Sequence, residues 1–372
     1  MWYAILLIVL AVTLAGLLYL SFRAARLPVV RKLTRDRRWL ARTLCLLGYG
    51  ALLTLLWRLW NGMNAIICLL HLVLFQAAAD LVDLIRSKLR RKPRSYGLSW
   101  AAALLLCVLY LGAGWHADHA VRPTFYSLET NKFQGDLRIV QIADAHVGTT
   151  FSGDGLMRYV NEINALGPDV VAVTGDFVDD DTSREDMLSA CRALGALEAR
   201  HGVFFVYGNH DGGYYGEEAR GWSDREFREQ LRENGVILLE DAAYPLDDLY
   251  IVGRKDRSQA RRGADRQTAA DLLSDLDRER YILLLDHQPH DFDAEAEAGA
   301  DLVLCGHTHG GQFIPIRRVG VWIGENCRTY GHERRLRTDF IVSSGILFFF
   351  IMHKGVRIHT KTAAATYHSC CV

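Results

Sequence analysis

The sequence predicts an all-α membrane region followed by an α/β domain. Four long, mostly apolar segments lie in the first third of the chain, and each is long enough to cross a bilayer as a helix. From residue 137 onward, short apolar runs alternate with amphipathic stretches, which is typical of buried strands alternating with helices. At 372 residues the chain has room for two domains, and we expect them to divide after residue 122.

The two parts carry opposite charge, although the whole chain is neutral. Residues 1–122 contain 16 basic and 4 acidic side chains, whereas residues 123–372 contain 27 basic and 39 acidic ones. The basic part is mostly apolar and the polar part is acidic. This distribution argues against a nucleic-acid-binding protein, and no nucleic-acid partner is expected.

The membrane region is predicted to have about four transmembrane helices, at about 2–22, 40–60, 63–79 and 97–115. No basic residue precedes the first segment, so it lacks the basic start of a signal peptide. We interpret it as a retained span, with a signal peptide as the alternative. A transporter is disfavoured, because we find no acid or arginine near the middle of a predicted span.

Orientation follows from the loops between these spans. Eight lysines and arginines lie in 23–42 and six in 80–96, whereas the connection between the second and third spans has only Arg58. Basic loops stay in the cytoplasm. We therefore predict an integral protein of the cell membrane whose catalytic domain, after Trp115, faces the extracytoplasmic side. A count of three or five spans would invert this topology.

The predicted strands of the second half are apolar runs of four to seven residues, at 137–143, 169–174, 203–207, 236–239, 249–252, 281–285, 301–305 and 340–344. Amphipathic stretches around 155–166 and 184–199 predict helices between the first three. Continuous apolar strands that alternate with helices indicate largely buried sheets.

Polar residues of the types that bind metals follow five of these strands. They are Asp144 and His146, then Asp176, then Asn209, His210 and Asp211, then His287, and finally His307 and His309. Taken alone, an Asp-x-His or a Gly-Asp pair is a common turn sequence. In open α/β sheets, however, ligands bind beyond the carboxyl ends of the strands, so the five sets are expected to converge.

The residue types favour a transition metal over calcium or magnesium. Carboxylate, imidazole and amide ligands together suit Mn, Fe or Zn. The set offers too many donors for one tetrahedral ion and enough for two divalent metal ions that share a carboxylate. Two such ions clamp the attacking and leaving oxygens of a displacement at phosphorus, and a solvent bridging them supplies the hydroxide nucleophile.

These blocks resemble the calcineurin-like metallophosphoesterase superfamily, whose pattern is D-x-H, G-D, G-N-H-D/E, H and G-H-x-H. The resemblance covers about residues 135–350 and implies a four-layer α-β-β-α sandwich. It also implies that Asp144, His146, Asp176 and His309 bind one metal, and that Asp176, Asn209, His287 and His307 bind the other. By the same likeness, His210 contacts the phosphate and protonates the leaving group, with Asp211 orienting it.

A membrane-anchored N-terminal part and the Gly310-Gly311-Gln312 sequence are most similar to the YkuE/YaeI-type phosphoesterases. Two features depart from that pattern. The apolar stretch 346–350 is either a core strand or a lip facing the membrane, and Cys370 and Cys371 match nothing in the family pattern. These departures leave the substrate open.

Two groups of basic residues are either solvated surface or a clamp for an anionic substrate. They are Arg254, Lys255, Arg257, Arg261 and Arg262, and Arg317, Arg318, Arg334, Arg335 and Arg337.

The predicted function is therefore that of a membrane-anchored, dinuclear metal-dependent phosphoesterase acting on phosphomonoesters or phosphodiesters, including lipid-linked ones. A pyrophosphohydrolase of lipid or sugar diphosphates at the membrane surface is one alternative. A metal-stabilised binding module without catalysis is the other.

Overall fold

The computed structural model describes residues 2–60, 62–91, 93, 95–118, 121, 123–132, 136–261, 263–311, 317–345 and 356–361. Side chains are not described at 2–6, 63, 117–118, 261 and 356–361. The chain divides into two compact units, Met1–Ala113 and Gly114–Val372. The predicted domain boundary after residue 122 stays a prediction.

The first unit is helical. Its helices are α1 (Trp2–Ala24), α2 (Pro28–Leu33), α3 (Arg38–Leu59), α4 (Gly62–Arg90) and α5 (Tyr96–Asp118). All but α2 are long and apolar enough to cross a membrane. The expected membrane region of four long apolar helices is therefore confirmed.

Helix α4 is longer than the segment predicted at 63–79. It continues to Arg90 through Leu81, Leu84 and Ile85, which recur at helical spacing among charged residues. Most of the expected basic loop at 80–96 is therefore helix. This extension also brings an acid into the bundle, because Asp80 pairs with the buried Arg23 of α1 and accepts a hydrogen bond from Tyr19 Oη at 2.6 Å.

The second unit contains two mixed six-stranded sheets among its described residues. The strands are β1 (Thr124–Glu129), β2 (Leu137–Ile142), β3 (Val170–Thr174), β4 (Val203–Val206), β5 (Ile237–Leu238), β6 (Ala242–Pro245), β7 (Leu249–Gly253), β8 (Tyr281–Leu285), β9 (Leu302–Cys305), β10 (Gly331–Arg335), β11 (Thr338–Val342) and β12 (Val356–Lys361). The strand orders are β1-β12-β2-β3-β4-β5 and β10-β11-β9-β8-β7-β6.

Each sheet has a parallel centre. Strands β2 to β5 are parallel in one sheet, and β7, β8, β9 and β11 are parallel in the other. Antiparallel β12 joins the first sheet beside β2, and antiparallel β6 and β10 form the edges of the second. The carboxyl ends of the parallel strands in each sheet therefore lie at one edge.

Helices accompany the strands in the described part of the second unit. They are α6 (Gly153–Asn164), α7 (Arg184–Gly195), α8 (Glu217–Arg220), α9 (Asp224–Glu233), α10 (Arg257–Arg261), α11 (Ala269–Leu273), α12 (Phe292–Ala298) and α13 (Val319–Trp322). Ser152, Ser183, Ser223 and Thr268 cap α6, α7, α9 and α11 with side-chain oxygens, which satisfies otherwise unpaired helix N–H groups.

Three hydrophobic cores define the layers. Alternate residues of one strand face opposite sides, so Val171 and Val173 pack toward α6, α7 and α9, while Val170 and Ala172 pack toward the second sheet. The third core joins the other face of the second sheet to α11 and α12. The arrangement is an α-β-β-α sandwich, as predicted.

The predicted strands correspond to β2, β3, β4, β5, β7, β8, β9 and β11, whereas β1, β6, β10 and β12 were not predicted. Strands β1, β10 and β12 contain polar residues, such as the Gly331–Arg335 sequence GHERR, and β6 is the short sequence AAYP. A search for continuous apolar runs therefore does not find them. Several earlier predictions fall outside the described residues: those for Gln312, Arg262, 346–350, Cys370 and Cys371.

Candidate active site

The candidate site lies where the parallel strands end. Backbone hydrogen bonds join the segments that follow these strands: Asp144 N donates to Gly175 O at 2.9 Å, and His146 N donates to Asp176 O at 3.1 Å. In the other sheet, Gly306 N donates to His287 O at 2.9 Å. The loops after neighbouring strands are thereby held in register.

The metal-binding candidates form two groups that share one residue. Asp144, His146, Asp176 and His309 offer one ligand atom each within 4.8 Å of one another, and so do Asp176, His287 and His307. Asn209 adjoins the second group, with its Oδ1 atom 3.1 Å from His287 Nε2. The structure therefore brings together all seven residues that the sequence predicts as ligands.

Asp176 lies between the two groups. Its Oδ1 atom accepts a hydrogen bond from the His210 backbone N–H at 2.8 Å. Its Oδ2 atom lies 3.1 Å from His287 Nε2 and 3.9 Å from His146 Nε2. One carboxylate oxygen is thus held by the backbone while the other faces both groups.

The donor atoms of these groups fit divalent cations. Four of them are buried and lack a hydrogen-bond partner among the described residues: His146 Nε2, Asp176 Oδ2, His307 Nδ1 and His309 Nδ1. A buried polar atom without a partner costs free energy, on the order of 1–3 kcal/mol. A bound cation removes this cost, and carboxylates with imidazoles are the donors that Mn, Fe and Zn prefer.

The backbone is strained at five of the predicted ligands. Asp144, His146, Asp176, His307 and His309 all have positive φ angles, between 38° and 73°. Such conformations cost about 1–3 kcal/mol each for residues other than glycine, and they cluster at functional sites. The turns after β2, β3 and β9 therefore bend in ways that an ordinary loop would avoid.

Hydrogen bonds on the far side of two imidazoles fix which nitrogen faces the site. His287 Nδ1 lies 2.8 Å from the Thr174 carbonyl oxygen, and His146 Nδ1 lies 2.7 Å from Asp179 Oδ2. Both partners are acceptors, so Nδ1 carries hydrogen in each ring. The Nε2 atoms therefore face the site. Hydrogen bonds of this kind, made by the ring nitrogen that does not bind the metal, commonly orient metal-binding histidines.

Burial and the neighbouring carboxylates shift the pKa values of four imidazoles in the site. Burial lowers the pKa of His287, but the adjacent Asp176 carboxylate outweighs it and raises this pKa well above its usual value. Burial also lowers the pKa of His146, but the hydrogen bond to Asp179 and the nearby carboxylates outweigh it and raise this pKa to about 9. Burial lowers the pKa of His307 to about 4 and that of His309 well below its usual value. The pKa is therefore raised at the two rings that lie beside carboxylates, those of His287 and His146.

The structure corrects the expected role of Asp211. Its buried carboxylate accepts four backbone N–H groups, from Asp176, Phe177, Val178 and Gly208, at 2.6–3.0 Å. These bonds occupy both oxygens, so Asp211 braces the turns after β3 and β4 instead of orienting the His210 ring. A carboxylate is used here because it accepts several N–H groups at once.

His210 borders the cleft, as expected. Its ring packs against the rings of His146 and Tyr214, with centroids 5.0 and 5.1 Å away. Burial lowers the pKa of His210, opposed by the Asp176 carboxylate. A phosphate anion bound beside the ring would favour its protonated form.

Sequence analysis missed two residues that touch the predicted ligands. Asp179 contacts His146, and the Tyr214 hydroxyl accepts a hydrogen bond from Asn209 Nδ2 at 2.9 Å. The Tyr214 contact turns Asn209 Oδ1 toward His287. Asp179 comes three residues after Asp176, and this spacing was the available signal; an exposed tyrosine such as Tyr214 gives none.

The basic residues divide into structural and exposed ones. Arg254 is buried and pairs with Asp286 and Asp291 at 3.1 and 2.8 Å, so it belongs neither to a solvated surface nor to an anion clamp. Arg335 pairs with Glu333 and Asp293. Arg317 is exposed and lines the cleft over the metal-binding candidates.

The cleft has a volume of about 290 Å³. Its walls include Asp176, His210, His309, Arg317 and Asn326. It therefore opens onto both groups of metal-binding candidates, with a guanidinium group at its rim.

The α-β-β-α sandwich with such a site at its strand ends is similar to known phosphoesterase domains. The family model for calcineurin-like phosphoesterases matches residues 137–311. This match covers just under half of the chain.

Proteins named as metallophosphoesterases are among the relatives. A transmembrane protein with metallophosphoesterase domain from Danio rerio is 34% identical over 194 residues, covering 48% of this chain and 42% of the relative. A metallophosphoesterase of Campylobacter jejuni is 27% identical over 256 residues, covering 67% and 65%. YkuE of Bacillus subtilis is 28% identical over 228 residues, covering 59% and 75%.

The chain spans less than two thirds of the length of the first two relatives. Together with the four apolar helices, the name of the Danio rerio relative indicates a membrane protein.

Proposed function

We propose that the protein is a membrane-anchored phosphoesterase that uses two divalent metal ions. The observation that carries this proposal is the pair of ligand groups that share Asp176. Asp144, His146, Asp176 and His309 would bind one ion. Asp176, Asn209, His287 and His307 would bind the other, and manganese, iron or zinc suits both sets.

The bound ions would activate water and neutralise charge on the phosphoryl oxygens. The chain's own part is to hold the donor atoms in place before they bind. Thr174 and Asp179 fix the two imidazoles, and Asp211 fixes the turns around Asp176 through four backbone N–H groups. Such preorganisation means that little rearrangement is needed during the reaction.

His210 is proposed as the acid that protonates the leaving-group oxygen. It lines the cleft beside Asp176, and its backbone N–H holds the Oδ1 atom of that carboxylate. Burial lowers the pKa of the ring, and a phosphate anion bound nearby would raise it and so favour the protonated form that an acid requires.

The position of Arg317 favours a substrate that carries a second anionic group in addition to the phosphoryl group that reacts. It is exposed at the rim of a cleft in an otherwise acidic domain. A diphosphate would place its second phosphate there, so the pyrophosphohydrolase of lipid or sugar diphosphates remains the second candidate function. A monoester or diester has no second phosphate for Arg317 to contact.

We place the catalytic domain on the extracytoplasmic side of the cell membrane. The support is the fourteen basic residues in segments 23–42 and 80–96, which flank the apolar parts of the long helices. Protease added to intact spheroplasts should then cleave this domain. Cleavage only after lysis would contradict the proposed orientation.

The activity test uses the full-length protein in detergent, loaded with manganese. Three substrates are compared: p-nitrophenyl phosphate, bis-p-nitrophenyl phosphate and a lipid-linked diphosphate. We expect turnover that falls by at least about a hundredfold in Asp176→Asn. Turnover of the diphosphate alone would favour the second candidate. Bound metal without turnover of any of the three would favour a binding module.

A further inference from the structure

A cavity of about 490 Å³ lies within the helical unit, where α1 ends and α3 begins. Four arginines line it, namely Arg26, Arg31, Arg38 and Arg42, together with Asp36 and Tyr96. Its size falls in the range of small-molecule sites. The sequence shows that these residues are basic and near one another in the chain, but not that they surround one cavity.

The cavity keeps a positive charge after its internal ion pair is counted. Arg31 pairs with Asp36 at 2.6 Å. Among the described residues, the other three arginines of the lining have no carboxylate within ion-pair distance. The neighbouring Arg23 contrasts with them, because it is buried against Asp80 and is neutralised there. The lining of the cavity therefore carries a net positive charge.

Aromatic rings hold two of these arginines without neutralising them. The Arg26 guanidinium carbon lies 5.5 Å from the centroid of the Tyr96 ring, and that of Arg42 lies 5.0 Å from the centroid of the Phe22 ring. Stacking on an aromatic face restricts a guanidinium group and leaves its N–H donors available. Their planar fork matches the oxygens of a phosphate.

The surroundings place the cavity at the depth of lipid headgroups. It lies between the end of one apolar helix, α1, and the start of another, α3. Trp39 at the start of α3 is 66% exposed, and Val29 and Leu33 of the short helix α2 are also exposed. Exposed tryptophan and a short helix with both apolar and basic residues are typical of the membrane–water interface.

We propose that this cavity binds the phosphate of an anionic phospholipid headgroup. Arg26, Arg38 and Arg42 would contact the phosphate, and the acyl chains would lie along the exposed apolar surfaces of α1 and α3. Basic pockets between membrane helices on the cytoplasmic side are suited to such headgroups. The site is separate from the proposed catalytic centre and does not depend on its activity.

The test is native mass spectrometry of the full-length protein in detergent, titrated with phosphatidylglycerol or phosphatidylcholine. We expect tighter binding of phosphatidylglycerol, and a loss in Arg26→Gln/Arg42→Gln. Each arginine near an anionic surface contributes roughly a fivefold factor, so the double variant should lose about twentyfold to thirtyfold in affinity.

The matched control is Lys32→Gln/Arg37→Gln, which removes the same charge from the same segment but from outside the cavity. It should keep nearly all the affinity. Equal losses in the two double variants would overturn the proposal in favour of diffuse surface charge. Equal affinity of the wild type for the two lipids would also overturn it.

Two further arms keep the test decisive. If the double variant does not fold, the single variant Arg38→Gln should lose about fivefold in affinity. Millimolar inorganic phosphate should not displace the lipid. Displacement would show that the cavity takes a free anion, and would overturn its assignment to a lipid.

Discussion

The Asp179 carboxylate accepts a hydrogen bond from the ring of His146, with 2.7 Å between Oδ2 and Nδ1. This contact fixes the ring and leaves its Nε2 atom facing Asp176. A carboxylate also makes the imidazole a better electron donor to a metal. Asp179 itself is held by its neighbours, because its Oδ1 atom accepts a hydrogen bond from the Asp181 backbone N–H at 2.9 Å.

Replacement of Asp179 should therefore weaken metal binding without unfolding the domain. For Asp179→Ala we expect a loss of about tenfold to a hundredfold in metal affinity, the usual range for a partner of a metal-binding histidine. Competition with a metal indicator measures it. Asp181→Ala is the matched control, because it removes an exposed neighbouring carboxylate. Equal affinity in the two variants would contradict the role of Asp179.

Tyr214 should act on the second group of metal-binding candidates. Tyr214→Phe removes the hydroxyl that accepts the Asn209 Nδ2 hydrogen bond, so the amide is free to rotate its Oδ1 atom away from His287. We expect the weaker-bound metal ion to be lost about tenfold more easily on dialysis against a chelator. Tyr215→Phe is the control, because Tyr215 is 80% exposed and does not line the cleft. Unchanged metal retention in Tyr214→Phe would rule out this positioning role.

Arg254 should matter for stability. Its side chain is 5% exposed and neutralises Asp286, Asp291 and Glu295, the first and last of which are also buried. Arg254→Met leaves Arg266 as the remaining ion-pair partner of Asp286 and Asp291, and it removes the ion pair of the buried Glu295. We expect a loss of up to about 3–5 kcal/mol in the free energy of unfolding. Urea denaturation followed by tryptophan fluorescence measures it.

Arg257→Met is the comparison for Arg254. Arg257 pairs with Glu325 at 3.5 Å near the surface, and such pairs contribute about 1 kcal/mol or less. Similar losses in the two variants would show that the buried network is not what stabilises this region.

Arg317 should affect substrate binding more than the chemical step. It lines the cleft but lies outside the two groups of metal-binding candidates. Arg317→Gln should raise KM by about tenfold for an anionic substrate, because a hydrogen bond to a charged group contributes roughly 1.5–3 kcal/mol. Its neighbour Arg318 is also exposed but does not line the cleft, so Arg318→Gln should leave KM unchanged. A fall in kcat alone would contradict this assignment.

The sequence predicted the site better than it predicted the edges of the fold. Asp144, Asp176 and His307 each follow a continuous apolar strand, so the rule that ligands bind beyond strand ends placed them together. Strands β1 and β10 contain polar residues, and β6 is the short, largely exposed sequence AAYP, so none of the three has that apolar signal. Only register and pairing with a neighbouring strand reveal them.

Long-range contacts account for what was missed at the site. The pattern G-N-H-D placed Asp211 beside His210, but the fold directs its carboxylate to the backbone of the turn after β3, about 34 residues earlier. Similarly, the charged residues of α4 suggested a loop, whereas Asp80 finds a partner in Arg23 on another helix. Such pairings depend on three-dimensional structure that local sequence does not contain.

Metal content per chain tests the central claim, which is that two ions share Asp176. The full-length protein and Asp176→Ala would be loaded with manganese, freed of excess metal and analysed for metal and protein. We predict about two ions per chain in the wild type and fewer than about one in Asp176→Ala, because the shared carboxylate serves both groups. About one ion in the wild type, or the same content in both proteins, would contradict it.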